Sequence, residues 1–418
     1  MQKFSTMNTF EEYIDMFNKA IESENSDDAI RLGRKIVEIA DRECKRPGIT
    51  SSIKKIYTDN SQRAREYIAD LRMMYTADKK PSNEVKSEQR KWFSSEVPSL
   101  NLRDVKGLQH VKDEFVINIL APFSQKYAPI YRKFRGAEFG SQILLYGPPG
   151  TGKTFLVKCL AGHIGCNISI VQTKDILANL VGDAEKNMGE VFEEARNYDR
   201  CIIFFDEFDA LAASRDDEES RHTRGVLTTL LTYMDGFLKD VKEGQHRIVI
   251  AATNRPWILD SAVKRGGRFD TQIYVPIPDY DARYQLIRLA LGKDDAIKNR
   301  VDVPCSEDVS IEWLAEKFDG MSGADINAVC KQIINRPMHR EIKSLQAGEG
   351  NADEAILRED CEVVIGKYIN GITDEMRVRF EAYSSGLEFN EYLKIMADKA
   401  RGNHESIPDY VLRYIKAQ

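Results

Sequence analysis

The sequence lacks the patterns that mark several common classes of protein. Its seven cysteines form no CxxC pair and no Cys/His cluster at zinc-ligand spacing, which argues against a structural zinc site. No apolar run reaches the length of a bilayer span, and the first residues carry no basic segment followed by an apolar one. The formal net charge is −6, which disfavours nucleic-acid binding. These absences predict an intracellular, cytoplasmic and soluble protein with scattered, reduced thiols.

The length of 418 residues exceeds one ordinary core and predicts two or three domains. Residues 1–76 show helical periodicity, for example Phe10, Ile14 and Phe17 on one face, and predict an all-α three-helix bundle. Residues 77–100 are polar and charged, and predict a flexible linker. Trp92-Phe93 within it favours packing on a neighbouring domain surface over contact with a substrate or membrane.

The stretch GPPGTGKT at 147–154 is the feature around which the rest of the chain is organised. It follows the apolar run SQILLY and precedes the helical pattern FLVKCLAGHI, which is the context of a phosphate-binding loop. Its glycines allow backbone N–H groups to surround a phosphate. We expect Lys153 to reach the β- and γ-phosphates and Thr154 to bind Mg²⁺. The residues predicted to bind ATP here are Pro149, Gly150, Thr151, Gly152, Lys153, Thr154 and Phe155.

Two further apolar runs end in polar residues that suit hydrolysis. CIIFFDE at 201–207 reads as a strand buried on both faces, as in a parallel sheet. Asp206 is expected to hold Mg²⁺, and Glu207 to act as general base on the attacking water. RIVIAATNRP ends its strand at Asn254, whose amide could orient that water, although asparagine is also a common turn residue.

Two arginines stand together in the loop LDSAVKRGGRFD. Arg265 and Arg268 are spaced to project from one side of it. A guanidinium that neutralises charge on a transferred phosphoryl group accelerates the reaction by roughly 10³- to 10⁵-fold. The alternative is a basic surface turn.

The order of the phosphate loop, FFDE, AATNRP, RGGRFD and GMSGADI at 320–326 resembles an AAA ATPase module over residues 101–340. The resemblance implies an α/β P-loop NTPase: a large domain with a parallel sheet at 101–281 and a helical lid domain at 282–418. It implies that Asp104 and Gly107, in DVKGL, lie at the adenine, and that Gly323 and Ala324 lie beside the nucleotide. Arg265 and Arg268 would act on a neighbouring subunit, usually in a hexamer.

Finer features resemble the meiotic clade of AAA ATPases, which includes katanin, spastin and the vacuolar-sorting ATPase. They are NRPWILDSA, NRPMHREIKSL, and ITDEMRVRFEAYSSGLEF, which is similar to a closing helix that packs back on the large domain. The N-terminal bundle resembles the microtubule-interacting-and-trafficking (MIT) domain. Residues 390–418 form an additional tail that predicts one or two helices.

The resemblance places Leu180, Val181 and Gly182 in a central-pore loop, where the family normally carries an aromatic residue first. A second pore loop falls near 215–224 and is charged, which is equally typical of a solvated loop. Leu180 departs from this pattern, which weakens the expected grip on a polypeptide backbone.

These features predict a ring-forming, ATP- and Mg²⁺-dependent enzyme that remodels a protein polymer recognised by the N-terminal bundle. The substrate would be an ESCRT-III-like filament, reached on a membrane, or a microtubule-like polymer. The alternative is an ATP-switched scaffold or adaptor that does not thread its substrate. A DNA-associated AAA protein is disfavoured because the chain is acidic.

Overall fold

The structure of the chain is a computed structural model, and it falls into two units. One comprises residues 1–79 and 120–131, and the other comprises residues 80–119 and 132–418. Within the described ranges, no helix is both long and apolar enough to cross a bilayer. The structure describes residues 10, 12–20, 26–44, 54–64, 92–94, 96–121, 127–135, 140–173, 176, 183–212, 219–239, 241, 245–264, 268–269, 271–293, 303–347, 355–401 and 407–417.

The N-terminal unit contains three helices that share a small apolar core. They are α1 (residues 12–20), α2 (Ser26–Glu43) and α3 (residues 54–64). Phe10 packs on Tyr57 with ring centroids 4.5 Å apart, which joins the first and third helical segments. Ile56 is 41% exposed although it is apolar, because Tyr57, one position and about 100° further round the helix, packs against Phe10.

The remaining helices follow in chain order and alternate with strands in the first half. Short irregular turns occur at Leu102–Asp104 and Pro256–Ile258 (3₁₀) and at Val116–Leu120 (π). The α-helices are α4 (Gln109–Phe115), α5 (Ala128–Arg135), α6 (Lys153–Ile164), α7 (Asp183–Ala195), α8 (Asp209–Ala212), α9 (Glu219–Lys239), α10 (Tyr280–Ala290), α11 (Ile311–Lys317), α12 (Gly323–Ala347), α13 (Arg358–Lys367), α14 (Asp374–Ser384), α15 (Phe389–Arg401) and α16 (Asp409–Ala417).

A five-stranded sheet forms the centre of the large domain. Its strands have the spatial order β2-β3-β4-β1-β5, and every pairing is parallel. Parallel strands are covered on both faces, which is why β4 is buried along its whole length. The predicted parallel-sheet fold is therefore confirmed. The strands are β1 (Gly140–Tyr146), β2 (Asn167–Gln172), β3 (Arg200–Asp206), β4 (His246–Thr253) and β5 (Thr271–Tyr274).

Aromatic side chains fill the space between the sheet and the helices α7 and α9. Phe192 stacks on Tyr233 at 5.8 Å and contacts Phe237 edge-on at 5.3 Å. Phe208, just after β3, contacts Phe269 at 5.3 Å. This packing fixes the segment that follows β3, where the catalytic carboxylates were predicted.

The lid domain has an apolar core of its own, which the helices α10 to α13 form. Buried side chains from all four helices contribute to it. Arg283 of α10 donates to the carbonyl of Ala315 in α11 at 2.9 Å and forms an ion pair with Asp319 at 3.2 Å. The helix starts are capped by Asp279 before α10 and Ser310 before α11.

The C-terminal helix α14 packs back on the large domain, as the resemblance implied. The Tyr383 hydroxyl donates to Gln272 of β5 at 2.8 Å, and Phe380 contacts Trp257 with ring centroids 5.2 Å apart. The predicted tail forms the two helices α15 and α16. Both hold α14 through Glu381, which accepts hydrogen bonds from Tyr392 at 2.8 Å and from Tyr410.

The predicted linker extends too far toward the large domain. Phe93 is buried and stacks on Tyr198 at 4.7 Å, and the backbone N–H groups of Trp92 and Phe93 donate to the Glu194 carboxylate at 2.8 and 3.1 Å. Phe93 also bridges Ser169 at the edge of the sheet. The segment from Trp92 onward therefore belongs to the large domain, and residues 77–91 lie outside the described ranges.

Candidate active site

A cavity of about 800 Å³ opens at the carboxyl ends of β1, β3 and β4. These three strands are neighbours in the sheet, and the carboxyl ends of parallel strands meet at one edge, where ligands bind in open α/β sheets. The cavity is lined by Asp104, Val105, Lys106, Leu108, Pro149, Gly150, Thr151, Gly152, Lys153, Thr154, Phe155, Asp206, Glu207, Asn254, Pro276, Pro278, Leu286, Leu289, Ala290, Gly323, Ala324, Ile326 and Asn327.

The phosphate loop between β1 and α6 holds a buried cation. Lys153 Nζ donates to the carbonyl oxygens of Gly147 at 2.9 Å and Pro148 at 2.8 Å, and the residue is only 7% exposed. Burial lowers the pKa of Lys153 to about 8, and the charges of Asp206 and Asp209 oppose this shift. An anion bound in the cavity would stabilise the ammonium, so the loop fits a phosphate group.

Two glycines of the loop adopt backbone angles that disfavour other residues. Gly150 has φ +75°, and a Cβ there would lie 2.4 Å from Ser322 Oγ of the lid domain. Gly152 has φ +90°, with no described atom within 4 Å of its would-be Cβ, and it immediately precedes α6. The loop thus presents backbone N–H groups to the cavity at the start of a long helix, which is a favourable place for an anion.

The predicted magnesium ligands are in contact with each other. Thr154 Oγ1 donates to Asp206 Oδ2 at 2.7 Å, which joins the start of α6 to the end of β3. Asp206 Oδ1 accepts from the backbone N–H of Glu207 at 3.0 Å. A hydroxyl and a carboxylate on the open side of a phosphate loop are suitable Mg²⁺ ligands, so these residues fit the predicted ion.

Glu207 extends from a strained turn. Its φ of +53° is uncommon for a residue with a side chain, and its side chain is exposed. Thr173 holds the turn by donating to the carbonyl oxygens of Asp206 at 2.9 Å and Glu207 at 3.1 Å. The strain is thus maintained at the position predicted for the general base.

Asn254 follows β4 and lines the cavity between these groups. Its Oδ1 atom is buried and accepts no hydrogen bond from the described residues. The preceding Thr253 donates to Asp209 at 3.0 Å and accepts from the N–H of Arg255 at 2.9 Å, which fixes the end of the strand. An unpaired buried acceptor beside Glu207 suits a bound water molecule.

The residues predicted at the adenine occupy two different positions. Asp104 lines the cavity, while its carboxylate caps the turn at Leu102–Asp104 by accepting from the N–H of Asn101 at 2.7 Å. Gly107 is not among the described residues that line the cavity, and its φ is +67°. A Cβ at this position would approach the Ala282 Cβ to 2.5 Å. Gly107 therefore permits close packing of the two segments.

Gly323 and Ala324, which were predicted to lie beside the nucleotide, line the cavity from the lid domain. The N–H of Ala324 donates to the carbonyl of Gly150 at 3.1 Å, so the start of α12 contacts the phosphate loop directly. Sequence reasoning missed the apolar end of the cavity. There Leu286, Leu289 and Ala290 lie on one face of α10, at the helical spacing that was the available signal.

Arg268 is absent from the described residues that line this cavity. Its Nη1 atom donates to the carbonyl of Ala262 at 2.9 Å. The other predicted finger, Arg265, and the predicted pore residues Leu180, Val181 and Gly182 lie outside the described residues, as do the side chains of 215–224.

Comparisons with known proteins agree with this site. Residues 143–277 match the ATPase family associated with various cellular activities (AAA), and residues 308–349 match the AAA+ lid domain. Cell division cycle protein 48 homolog of Archaeoglobus fulgidus is 42% identical over 68% of this chain and 38% of its own length. Protein SAV of Sulfolobus acidocaldarius is 39% identical over 60% of this chain and 30% of its own length. Nuclear valosin-containing protein-like of Mus musculus is 32% identical over 70% of this chain and 33% of its own length.

The chain spans less than two-fifths of the length of each of these relatives. The matched regions contain the phosphate loop, Asp206, Glu207 and Asn254, together with the lid residues that meet them. The predicted enzyme class, ATP hydrolase, and the predicted cofactors, ATP with Mg²⁺, are those of the matched domain, so both predictions are confirmed. The chain therefore contains an AAA ATPase domain followed by an AAA+ lid domain.

Proposed function

We propose that this chain is a ring-forming ATPase that couples ATP hydrolysis to the remodelling or disassembly of a protein assembly. The observation that carries the proposal is that the phosphate loop and the lid domain line one cavity together, with the Ala324 N–H donating to the Gly150 carbonyl at 3.1 Å. A lid that contacts the phosphate-binding loop is sensitive to whether the loop is occupied. Binding and release of nucleotide would therefore change the angle between the two domains.

The residues of the cavity divide the hydrolytic chemistry among them. Lys153 neutralises phosphate charge, and Thr154 with Asp206 would hold Mg²⁺, which stabilises negative charge on the phosphates when it is bound. Glu207 accepts the proton of the attacking water, and the free Oδ1 of Asn254 orients that water. The bond from Thr154 to Asp206 and the bond from the Glu207 backbone N–H to Asp206 support these roles.

A ring, usually a hexamer, would complete this site with Arg265 and Arg268 from the neighbouring subunit. Arg268 supports this proposal because its guanidinium is held by the Ala262 carbonyl, on a loop separate from the cavity lining of its own chain. A cationic side chain in this position is available to a second copy.

The substrate is proposed to be a protein polymer that docks on the N-terminal three-helix unit, in the manner of an MIT domain. The small core shared by α1, α2 and α3 supports this role, as such bundles offer grooves between helices. The meiotic-clade assignment then favours an ESCRT-III-like filament on a membrane, or a microtubule-like polymer. The seven free cysteines favour a reducing compartment, and we propose the cytoplasm.

The second candidate is an ATP-switched scaffold or adaptor that assembles without threading a polypeptide. Leu180 favours it, since an aromatic residue normally grips the substrate backbone at this position of the pore. Leu180→Ala decides between the two. Loss of remodelling with unchanged ATP turnover supports a threading ring, whereas unchanged remodelling supports the adaptor.

The first experiment is light scattering on Glu207→Gln protein with and without ATP and Mg²⁺. Retained ATP should trap the ring, so the mass should rise to about six subunits only when ATP is present. Glu193→Gln, on the exposed side of α7, is the matched control and should not trap a large species. A Glu207→Gln protein that stays monomeric with bound ATP would contradict the ring.

A further inference from the structure

Residues 320–325, which include the first residues of α12, are held by two residues that follow α13. This lid loop, residues 320–325, turns back on itself through Asp325, whose Oδ2 accepts from the Ser322 N–H at 2.9 Å and the Ser322 hydroxyl at 2.7 Å. The other carboxylate oxygen, Oδ1, accepts from the hydroxyl of Tyr368, which follows α13. Both oxygens of Asp325 are therefore used to hold the loop.

Tyr368 is suited to remain a hydrogen-bond donor. Burial raises the pKa of Tyr368 to about 12, and the hydrogen bond to Asp325 contributes in the same direction. The phenol is therefore protonated throughout the physiological range. The bond to Asp325 is a hydroxyl–carboxylate bond, which is stronger than one between neutral groups.

A second contact holds the other end of the lid loop. Asn370 Nδ2 donates to the carbonyl of Gly320 at 3.0 Å, and Asn370 Oδ1 accepts from the N–H of Ile372 at 2.9 Å. Gly320 has φ +79°, so the chain turns sharply at the point that Asn370 holds. Tyr368 and Asn370, which we call the brace, thus fix both ends of the loop.

The lid loop is the part of the lid domain that contacts the phosphate loop. Ala324 N–H donates to Gly150, and Ser322 Oγ occupies the space that a side chain at Gly150 would need. A small displacement of the lid loop therefore changes contacts at the nucleotide cavity. The brace itself does not line that cavity among the described residues.

We propose that Tyr368 and Asn370 are positioning residues that hold the lid loop against the phosphate loop and thereby set the affinity for ATP. The inference rests on the proposed function, because it concerns the same nucleotide cavity. The brace acts on ground-state binding and makes no contact with Glu207, so its loss should raise Kd and KM while kcat stays nearly constant. The brace also connects the nucleotide cavity to α14, which begins directly after Ile372 and Thr373.

The test is Tyr368→Phe in the full chain, which removes one hydroxyl and keeps the ring. We expect Kd for a fluorescent ATP analogue and KM for ATP to rise about 10- to 150-fold, as for loss of one hydrogen bond to a charged group. The change in kcat should stay within about twofold. Asn370→Ala should raise Kd in the same direction and provides an independent variant if Tyr368→Phe fails to fold.

The matched control is Tyr392→Phe, which removes a tyrosine–carboxylate bond to Glu381 in the C-terminal helices. It should leave Kd and KM unchanged, even where it lowers Tm. A Tyr368→Phe protein with a lower Tm but wild-type Kd and KM would contradict the proposed role of the brace in ATP affinity. It would not contradict the proposed ATP hydrolysis. Wild-type protein that neither binds nor hydrolyses ATP would instead overturn the proposed function, and the brace with it.

Discussion

Thr154 and Asp206 are joined by a hydrogen bond of 2.7 Å between Oγ1 and Oδ2, which links the phosphate loop to the end of β3. These two oxygens are the proposed Mg²⁺ ligands, so the ion would replace this hydrogen bond by coordination to both. The contact keeps the ligands close together before the ion arrives, which lowers the cost of organising the site.

Asp206→Asn should therefore separate metal binding from folding. An amide oxygen is a weaker Mg²⁺ ligand than a carboxylate but still accepts from Thr154, so the Mg²⁺ concentration for half-maximal hydrolysis should rise about tenfold or more. Magnesium titration of ATP turnover measures this effect, with Tm as the check on folding. Asp235→Asn in α9 is the control. An unchanged magnesium requirement in Asp206→Asn would remove Asp206 as a ligand.

The depressed pKa of Lys153 predicts pH-dependent ATP binding. The side chain titrates at about 8 in the folded protein, against 10.5 ordinarily. Between these values the unfolded state binds more protons, so this group makes the nucleotide-free protein more stable as pH rises from about 8 to 10.5. ATP favours the charged ammonium, so its affinity should fall as pH rises above about 8.

Calorimetry in buffers of different ionisation enthalpy measures the proton that accompanies this binding. At pH 8.5, a pKa of about 8 predicts uptake of about three quarters of a proton per ATP by Lys153. Lys264→Met removes another lysine whose pKa is lowered by burial, but one outside the cavity, and should leave the uptake unchanged. Absence of proton uptake would show that Lys153 is already fully charged without ATP.

Mixing two inactive proteins tests the arginine finger. Glu207→Gln should lose about 10²- to 10⁴-fold in kcat, and Arg268→Ala should lose about 10³-fold or more. If Arg268 acts on the next subunit, a mixed ring contains sites with both Glu207 and a neighbouring Arg268. The mixture should then regain part of the turnover that neither protein has alone. No recovery at any ratio, with mixed rings demonstrated by light scattering, would place Arg268 outside the reaction.

Two helical glycines form a matched pair for a stability test. A Cβ at Gly162 in α6 would lie 2.0 Å from the carbonyl oxygen of Leu100 and 2.4 Å from that of Pro98, whereas no described neighbour outside the helix backbone lies within 4 Å of one at Gly236 in α9. Gly162→Ala should cost about 1–3 kcal/mol through overpacking. Gly236→Ala should gain up to about 1 kcal/mol of helix propensity. Scanning calorimetry should give Tm shifts of opposite sign, and a stabilising Gly162→Ala would contradict the close approach.

The edge of the sheet that lines the candidate site was predictable because β1, β3 and β4 each lead into a residue with distinct chemistry. Lys153, Asp206 and Asn254 follow apolar runs that only a parallel sheet buries on both faces, and parallel strands bring these ends together. Loop-to-lid contacts were predictable only through the resemblance. The bond between Ala324 and Gly150 depends on how two separately packed domains meet, which local periodicity does not encode.

Other features depended on single side chains whose partners are distant in sequence. Tyr368 is a single aromatic residue that follows the polar end of a helix. No sequence pattern indicates that its hydroxyl donates to Asp325. Phe93 lies in a polar stretch and was assigned to the linker. Its ring nevertheless stacks on Tyr198, and its backbone N–H donates to Glu194. A burial pattern needs several residues at regular spacing, so isolated anchors of this kind escape it.

The anchor at Trp92 and Phe93 also determines where mechanical load enters the large domain. A pull on the chain that precedes Trp92 is opposed by two backbone hydrogen bonds to Glu194 of α7 and by a buried aromatic ring. The segment predicted to lie at the adenine begins further along the chain, at the capped turn of Asn101 and Asp104. Tension from the incoming chain would therefore act on α7 and the edge of the sheet before it acts on the segment that lines the candidate site.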